Sequence, residues 1–319
     1  MKGLTDIPGI RVGHASDFEA MTGCTVILCE SGAVAGADIR GSATGVEEFD
    51  LMNPLHLTSR IHAVVLAGGS AFGLESASGV RRYLEQKGIG YGTGAARVPL
   101  VPCCILYDLG IGKPNIRPTR EMGEAAAAAA TSEAVREGAV GAGTGATVGK
   151  VLGLRHAMKG GIGSATVTLE GPYDGVLVSA LAAVNAFGDV RDPETGRILA
   201  GTRTAPDSTA FADSERLLLA GARGGFAPQN TTLAVVATNA RLDKVQATKL
   251  AQLSQIGLTR AVAPAHTMYD GDIVIALSLG EREADITALG IAGARAVADS
   301  IVRAVRGAAS LGGVPGLAK

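Results

Sequence analysis

The sequence predicts a mixed α/β fold in which a sheet is covered by helices, as part of a layered sandwich. Two observations in the last third of the chain carry that prediction. Thr231–Thr238 (TTLAVVAT) and Asp272–Leu279 (DIVIALSL) are β-branched apolar runs without a polar face, the pattern of strands buried on both sides. Each is followed by a helical segment. Leu242–Gly257 carries Leu250, Leu253 and Ile256 on one face, and Asp285–Arg306 spaces Val297, Ile301 and Val305 by fours.

The earlier elements fit the same scheme. Cys24–Cys29 and Ile61–Ala67 are short apolar runs bounded by turn residues and read as strands. Leu74–Gln86 reads as helix, and the alanine-rich stretch Arg120–Gly138 is predicted helical throughout. Val148–Leu169 is broken by glycines and ends in a strand at Ser164–Leu169, while Gly175–Phe187 is apolar with no clean period. Pro193–Gly196 is a turn by composition, and Asp207–Ala222 is predicted helical with Asp207 and Ser208 as caps. No linker separates independent domains, so residues 1–319 are expected to form one domain.

Composition excludes several classes. Hydrophobic residues make up 47% and charged residues 18%, which permits a sizeable core and argues against disorder. The net charge of −1, without a Lys/Arg run, makes nucleic acid and anionic membrane poor partners. The start has no apolar h-region and Gly175–Gly188 is too short to span a bilayer, so a soluble cytoplasmic protein is expected. The four cysteines, Cys24, Cys29, Cys103 and Cys104, form no C-x-x-C pair and read as buried reduced thiols. The five histidines show no metal-ligand spacing, and no metal or other cofactor is expected. His266 is the one of interest, beside Thr267 and an acidic pair.

Two familiar signatures nearly fit and fail. Gly141–Lys150 (GAGTGATVGK) looks like a phosphate loop, but position 144 is Thr where the motif requires Gly, and Lys150 is followed by Val151. It reads as a glycine-rich turn. Gly68–Gly73 (GGSAFG) has the strand-to-helix context of a nucleophile elbow around Ser70, but position 72 is Phe. The better reading is a loop at a helix N-terminus, with Gly69, Ser70 and Ala71 offering backbone N–H groups to a substrate carboxylate.

An N-terminal nucleophile remains. A threonine hydroxyl needs a base, and cutting the preceding peptide bond supplies one, an α-amine with a pKa near ~7.7–8.0. The chemistry requires Thr, Ser or Cys at the start of a rigid buried strand, after a residue that tolerates an N→O acyl shift. Gln229-Asn230-Thr231-Thr232, opening the run LAVVAT, has those properties. An ordinary loop-to-strand junction has them too.

Seven segments together resemble one family. They are Thr5–His14 (TDIPGIRVGH), Ala67–Leu74 (AGGSAFGL), Val98–Leu109 (VPLVPCCILYDL), Lys159–Gly163 (KGGIG), Val184–Gly201 (VNAFGDVRDPETGRILAG), Asn230–Ala240 (NTTLAVVATNA) and His266–Ser278 (HTMYDGDIVIALS). In this order, and nearly end to end, the chain resembles the DmpA/BapA-type aminopeptidases, also called L-aminopeptidase/D-esterase or β-peptidyl aminopeptidases. The resemblance implies an α+β, four-layer αββα sandwich like that of the N-terminal-nucleophile (Ntn) hydrolases. It also implies a precursor that cuts itself at Asn230–Thr231 into an α chain, 1–230, and a β chain, 231–319. Members hydrolyse short unblocked peptides, amides and esters without a metal and assemble as oligomers of αβ pairs, so a homotetramer is expected.

The resemblance also assigns roles. Thr231 matches the nucleophile. Asn185 matches the oxyanion-hole Asn, with Ala186 intervening before Phe187-Gly188 where some members have Asn directly before Phe-Gly. Asp270-Gly271-Asp272 stands where well-known members carry Ser-Gly-Glu, so Asp270 or Asp272 is expected to orient or charge-pair the Thr231 α-ammonium. The family's active-site Tyr has no assigned position. Read without the resemblance, Asn185 satisfies backbone at a strand end, and Asp-Gly marks a turn. Two further functions stay open: an acyltransferase of the ornithine acetyltransferase type, which differs only in using an amine acceptor, and an uncleaved paralogue that binds small ligands.

Overall fold

The computed structural model describes residues 1–222 and 230–319; Gln229 of the cleavage motif lies outside the described residues. Nine strands build the main sheet: β1 Arg11–Asp17, β2 Thr22–Ile39, β3 Val46–Glu47, β4 Ile61–Ala67, β5 Cys103–Ile105, β6 Gly161–Thr168, β7 Leu177–Asn185, β8 Thr231–Ala240 and β9 Ile273–Arg282. Among the described residues five α-helices accompany them: α1 Ser76–Gln86, α2 Arg120–Ala128, α3 Ser214–Leu219, α4 Lys244–Ala261 and α5 Ile286–Arg306. The strand order is β6-β7-β8-β9-β2-β4-β5-β3, with β1 paired to β2 off this path.

The path folds over on itself within β2. Cys24–Leu28 pairs with β4, whereas Val34–Ile39 pairs with β9, and the register shifts between Leu28 and Ala33. The two halves of the sheet therefore face each other, and period-2 alternation sorts their side chains into three apolar layers. Leu233, Val235 and Ala237 of β8, Ile273, Ile275 and Leu277 of β9, and Val64 and Leu66 of β4 meet in the layer between the halves. Their neighbours Ala234, Val236, Val274 and Ala276 point outward onto α4 and α5. On the other side Ala63, Val65 and Ala67 of β4 meet Ala77, Val80 and Leu84 of α1 and Ala126 and Ala127 of α2. This is the expected αββα sandwich.

Helix ends follow their capping residues. Asp243 caps α4 by accepting from the Gln246 N–H, and the Gln246 side chain accepts from the Asp243 N–H. Asp285 caps α5 by accepting from the Thr287 and Ala288 N–H groups. The two helices pack closely: a Cβ built on Gly257 would lie 1.9 Å from the Ala294 carbonyl oxygen. Gly257→Ala therefore sets a helix-propensity gain of up to ~1 kcal/mol against overpacking of ~1–3 kcal/mol against an immovable backbone atom. The clash wins. Urea denaturation of this variant will show a net loss of stability.

Three local expectations are corrected. The alanine-rich helix ends at Ala128 rather than Gly138, because Thr131 exchanges backbone hydrogen bonds with Val12 (2.9 and 3.1 Å) and this tertiary pairing overrides propensity. The helix expected over 207–222 covers only Ser214–Leu219, and its cap is Asp213, not Asp207 or Ser208. Arg203 and Phe211 form a bridge across the intervening turn. On α4, Ile256 is 45% exposed, and the buried face runs through Ala247, Leu250, Ala251, Ser254, Leu258 and Ala261.

All four cysteines are buried and free. Burial pushes their thiols up, to about 12 for Cys24 and Cys29. Among the described residues no helix is long and apolar enough to cross a membrane, and no group of three or more His, Cys, Asp or Glu is arranged to hold a metal ion.

Candidate active site

Three neighbouring strands bring the site together at one end of the sheet. β7 runs antiparallel to β8 with Asn185, its last residue, opposite Thr231, the first residue of β8. β8 runs parallel to β9 with Leu233 opposite Ile273, so the residues just before β9 lie beside the start of β8. Asn230 and Asp270 extend this pairing by one bridge. Sequence segments 46 and 40 residues from Thr231 and Thr232 are thus fixed against them by strand register.

Thr231 is buried, 3% exposed. Its Oγ1 donates to the carbonyl oxygen of Asn230 at 2.5 Å, and the same oxygen accepts the backbone N–H of Gly271 at 2.7 Å. Asp272 accepts the Thr232 N–H at 2.7 Å through Oδ1, while its Oδ2 faces His266, accepting the backbone N–H at 3.0 Å and lying 3.1 Å from Nδ1. His266 reaches both through a left-handed backbone, φ 57°, a conformation that costs energy and persists only where the surroundings fix it. Asp270 accepts the Phe187 N–H at 3.2 Å and, through Oδ2, the Thr267 N–H at 3.1 Å and hydroxyl at 2.5 Å. Burial, and then the Asp272 carboxylate, raise Asp270 to about 6.

The glycine-rich turn that failed as a phosphate loop supplies a cation. Lys150 is held beside β7 by backbone bonds from Gly149 to Gly188 and from Lys150 to Phe187, both 2.9 Å. Its Nζ donates to the Asn185 carbonyl oxygen and to Asn185 Oδ1, each at 2.9 Å. Burial lowers Lys150 to about 7, and the Asp270 carboxylate opposes that shift. Asn185 is fully buried. Its Oδ1 also accepts the Thr147 N–H at 3.0 Å, and its Nδ2 donates to the Tyr107 carbonyl oxygen at 2.9 Å.

A narrow cleft reaches this cluster at Asn230. Tyr107, Ile111, Leu154 and Phe187 give it apolar walls, and Lys150, Thr147 and Asp108 give it polar groups. An apolar cavity with a few convergent polar groups suits a small organic substrate. Asp108 is raised to about 6 by burial, with the Thr22 hydroxyl opposing.

Thr231, Asn185, Asp270, Asp272 and Asn230 thus come together. Of these only Asn230 lines the cleft, and Gly69, Ser70 and Ala71 do not line it. The Gly69 N–H is taken by Asp108 Oδ1 at 2.7 Å and the Ser70 N–H by the Leu106 carbonyl at 3.0 Å, so two of the three expected donors are committed within the protein. Sequence reasoning missed Lys150, Thr147 and Tyr107. The available signal was a lysine in a charge-free glycine-rich run.

Comparisons with known proteins bear on the family and the fold. The sequence model of peptidase family S58 matches residues 2–318. An uncharacterised aminopeptidase of Mycobacterium bovis is 36% identical over 99% of this chain and 96% of its own length. A 6-aminohexanoate-oligomer endohydrolase of Kocuria sp. is 30% identical over 94% of this chain and 85% of its own. Among solved structures, the L-aminopeptidase D-Ala-esterase/amidase of Ochrobactrum anthropi, a variant of the Ntn hydrolase fold, is similar with a TM-score of 0.75 at 19% identity, covering 98% of this chain and 88% of that one. A Burkholderia β-aminopeptidase has a TM-score of 0.70 at 23% identity, covering 99% and 91%. These two likenesses concern the fold. The family match over almost the whole length, with relatives at 30% identity and above, means that the chain belongs to peptidase family S58 and is a hydrolase.

Proposed function

We propose that this hydrolase is a self-processing aminopeptidase or amidase that works through an acyl ester on Thr231. The observation that carries the reading is the contact between the Thr231 hydroxyl and its own preceding carbonyl at 2.5 Å, buried at the start of a central strand. In self-processing, Oγ1 attacks the Asn230 carbonyl carbon. The C–N bond breaks, the hydroxyl proton ends on the released Thr231 amine, and water hydrolyses the ester to leave an Asn230 carboxylate. The new amine then serves as base when Thr231 attacks a substrate. The substrate's leaving amine or alcohol takes the proton, and water frees the acyl group.

The neighbouring groups suit those steps. Lys150 keeps one of its three ammonium N–H groups beyond the two given to Asn185. It lines the cleft, where a cation stabilises a tetrahedral oxyanion. In this reading Lys150, held by Asn185, supplies the oxyanion charge, whereas the family resemblance pointed to the Asn185 amide itself. Asp270 and Asp272 are the anions facing the new Thr231 ammonium. The mixed apolar and polar cleft favours short peptides, amino-acid amides or esters.

Denaturing mass spectrometry of the purified wild-type protein tests the reading. Two chains, 1–230 and 231–319, are expected. A single intact chain after prolonged incubation would leave Thr231 without a free amine and turn the reading toward a ligand-binding paralogue.

A further inference from the structure

We propose that the backbone N–H of Gly271 is the oxyanion donor of the self-cleavage step, a role separate from the side chains that serve substrate turnover. The inference rests on the self-processing reading above.

The scissile carbonyl oxygen of Asn230 has two donors. One is the attacking hydroxyl of Thr231. The other is the Gly271 N–H, already bonded at 2.7 Å to the atom on which negative charge will develop. As Oγ1 adds to the carbonyl carbon, its proton leaves toward the Thr231 nitrogen, and the Asn230 oxygen gains the electron pair of the carbonyl. Of the two donors, the Gly271 N–H remains a neutral, fixed partner for that oxygen as the charge grows. The intermediate then collapses, the C–N bond breaks, and the ester between Asn230 and Thr231 Oγ1 is formed.

The donor is held before the reaction begins. The N–H of Gly271 and that of Asn230, which donates to the Tyr269 carbonyl at 3.3 Å, form an isolated parallel bridge in the register of the β8–β9 ladder, three residues before its first pair Leu233–Ile273, and this bridge holds the scissile peptide. The turn that carries Gly271 is clamped on both sides. The Asp270 carbonyl accepts the Ala43 N–H at 2.9 Å, the Asp272 carbonyl accepts the Arg40 and Gly41 N–H groups at 3.0 and 3.2 Å, and the Asp270 N–H donates to the Thr267 carbonyl at 3.2 Å. Both carboxylates of the turn are likewise occupied by backbone N–H groups. Asp270 and Asp272 thereby fix the aim of the amide between them. Glycine is required there because a Cβ would lie 2.6 Å from the Ala43 carbonyl oxygen and 2.8 Å from Thr231 Oγ1 itself.

Replacing Gly271 by glycolic acid through nonsense suppression exchanges this N–H for an ester oxygen and leaves every side chain in place. Appearance of the two chains is followed by denaturing mass spectrometry after release from conditions that hold the precursor intact. The expected result is cleavage slowed by ~10²–10³-fold relative to wild type, the cost of one oxyanion donor. Gly271→Ala should also be slowed, through displacement of Thr231 Oγ1. Cleavage of the glycolate variant at the wild-type rate overturns the inference and leaves the self-processing reading intact. A wild-type chain that is never cut overturns both. Amide hydrogen exchange in the uncut Thr231→Ala protein gives a second reading that does not depend on the glycolate variant folding. A protected Gly271 amide is expected, and exchange at the unhindered rate overturns the inference.

Discussion

Thr231→Ala will yield one uncut chain of 319 residues with no measurable amide or ester hydrolysis. The loss should be on the order of 10⁶-fold, the scale of deleting a covalent nucleophile. The substitution removes Oγ1 and one methyl group from a residue that is 3% exposed at the first position of a central strand. The strand register to Asn185 and the ladder to β9 are backbone features and persist. Circular dichroism and the urea transition should therefore stay near those of wild type while both reactions vanish. In the proposed mechanism two functions disappear together, because one hydroxyl performs both and the base for the second is made by the first. Thr231→Ser separates the chemistry from the shape. It keeps the hydroxyl and loses only the methyl that restricts χ1, so it should be cut and should turn over, more slowly. A Thr231→Ala chain that still splits after Asn230 would show that another group attacks and would end the proposal for Thr231.

Much of this arrangement is legible in the sequence, and the gaps have physical causes. β8 and β9 announce themselves because both faces are buried, which leaves uninterrupted apolar runs. β2 is harder to read. It passes Glu30, Ser31 and Gly32 at the point where it leaves one half of the sheet for the other, and only its Cys24–Cys29 segment looks like a strand. Helix α2 is overestimated because alanine propensity says nothing of the bridge between Thr131 and Val12 that stops it. Within the site, Thr231, Asn185, Asp270 and Asp272 are visible through the resemblance of whole segments, and strand register explains why such distant segments meet. Lys150 is invisible at that level. Its partner Asn185 lies 35 residues away, and the bonds that deliver it to the cleft come from backbone at Gly149 and Lys150. The same glycine-rich turn that fails as a phosphate loop succeeds as a mount for one buried cation.

Lys150→Met gives the second large effect: turnover should fall ~10²–10³-fold at neutral pH, the cost of losing one oxyanion-stabilising group. The stability consequence has the opposite sign and separates catalysis from structure. Burial lowers Lys150 from its ordinary 10.5 to about 7. A group whose pKa is lower in the folded chain than in the unfolded one contributes stability that is present above the unfolded value and is lost as pH falls through the folded one. For Lys150 that loss accumulates from about pH 10.5 down to about pH 7 and then levels off. Methionine cannot bind the proton, so the variant should gain stability relative to wild type across that window, read from urea midpoints at pH 6 and pH 9. Activity should follow the ammonium. Under the proposed mechanism, protonated Lys150 and a neutral Thr231 amine, near ~7.7–8.0 in an ordinary chain, are needed together. The profile of kcat/KM is then a narrow bell whose two apparent pKa values belong to the pair. In the variant the alkaline limb should disappear, and the residual rate should rise to a plateau as the amine deprotonates. A lysine that merely holds Asn185 in place would instead give a variant that loses stability and keeps the wild-type shape of the profile. Wild-type kcat in Lys150→Met would remove it from the chemistry altogether.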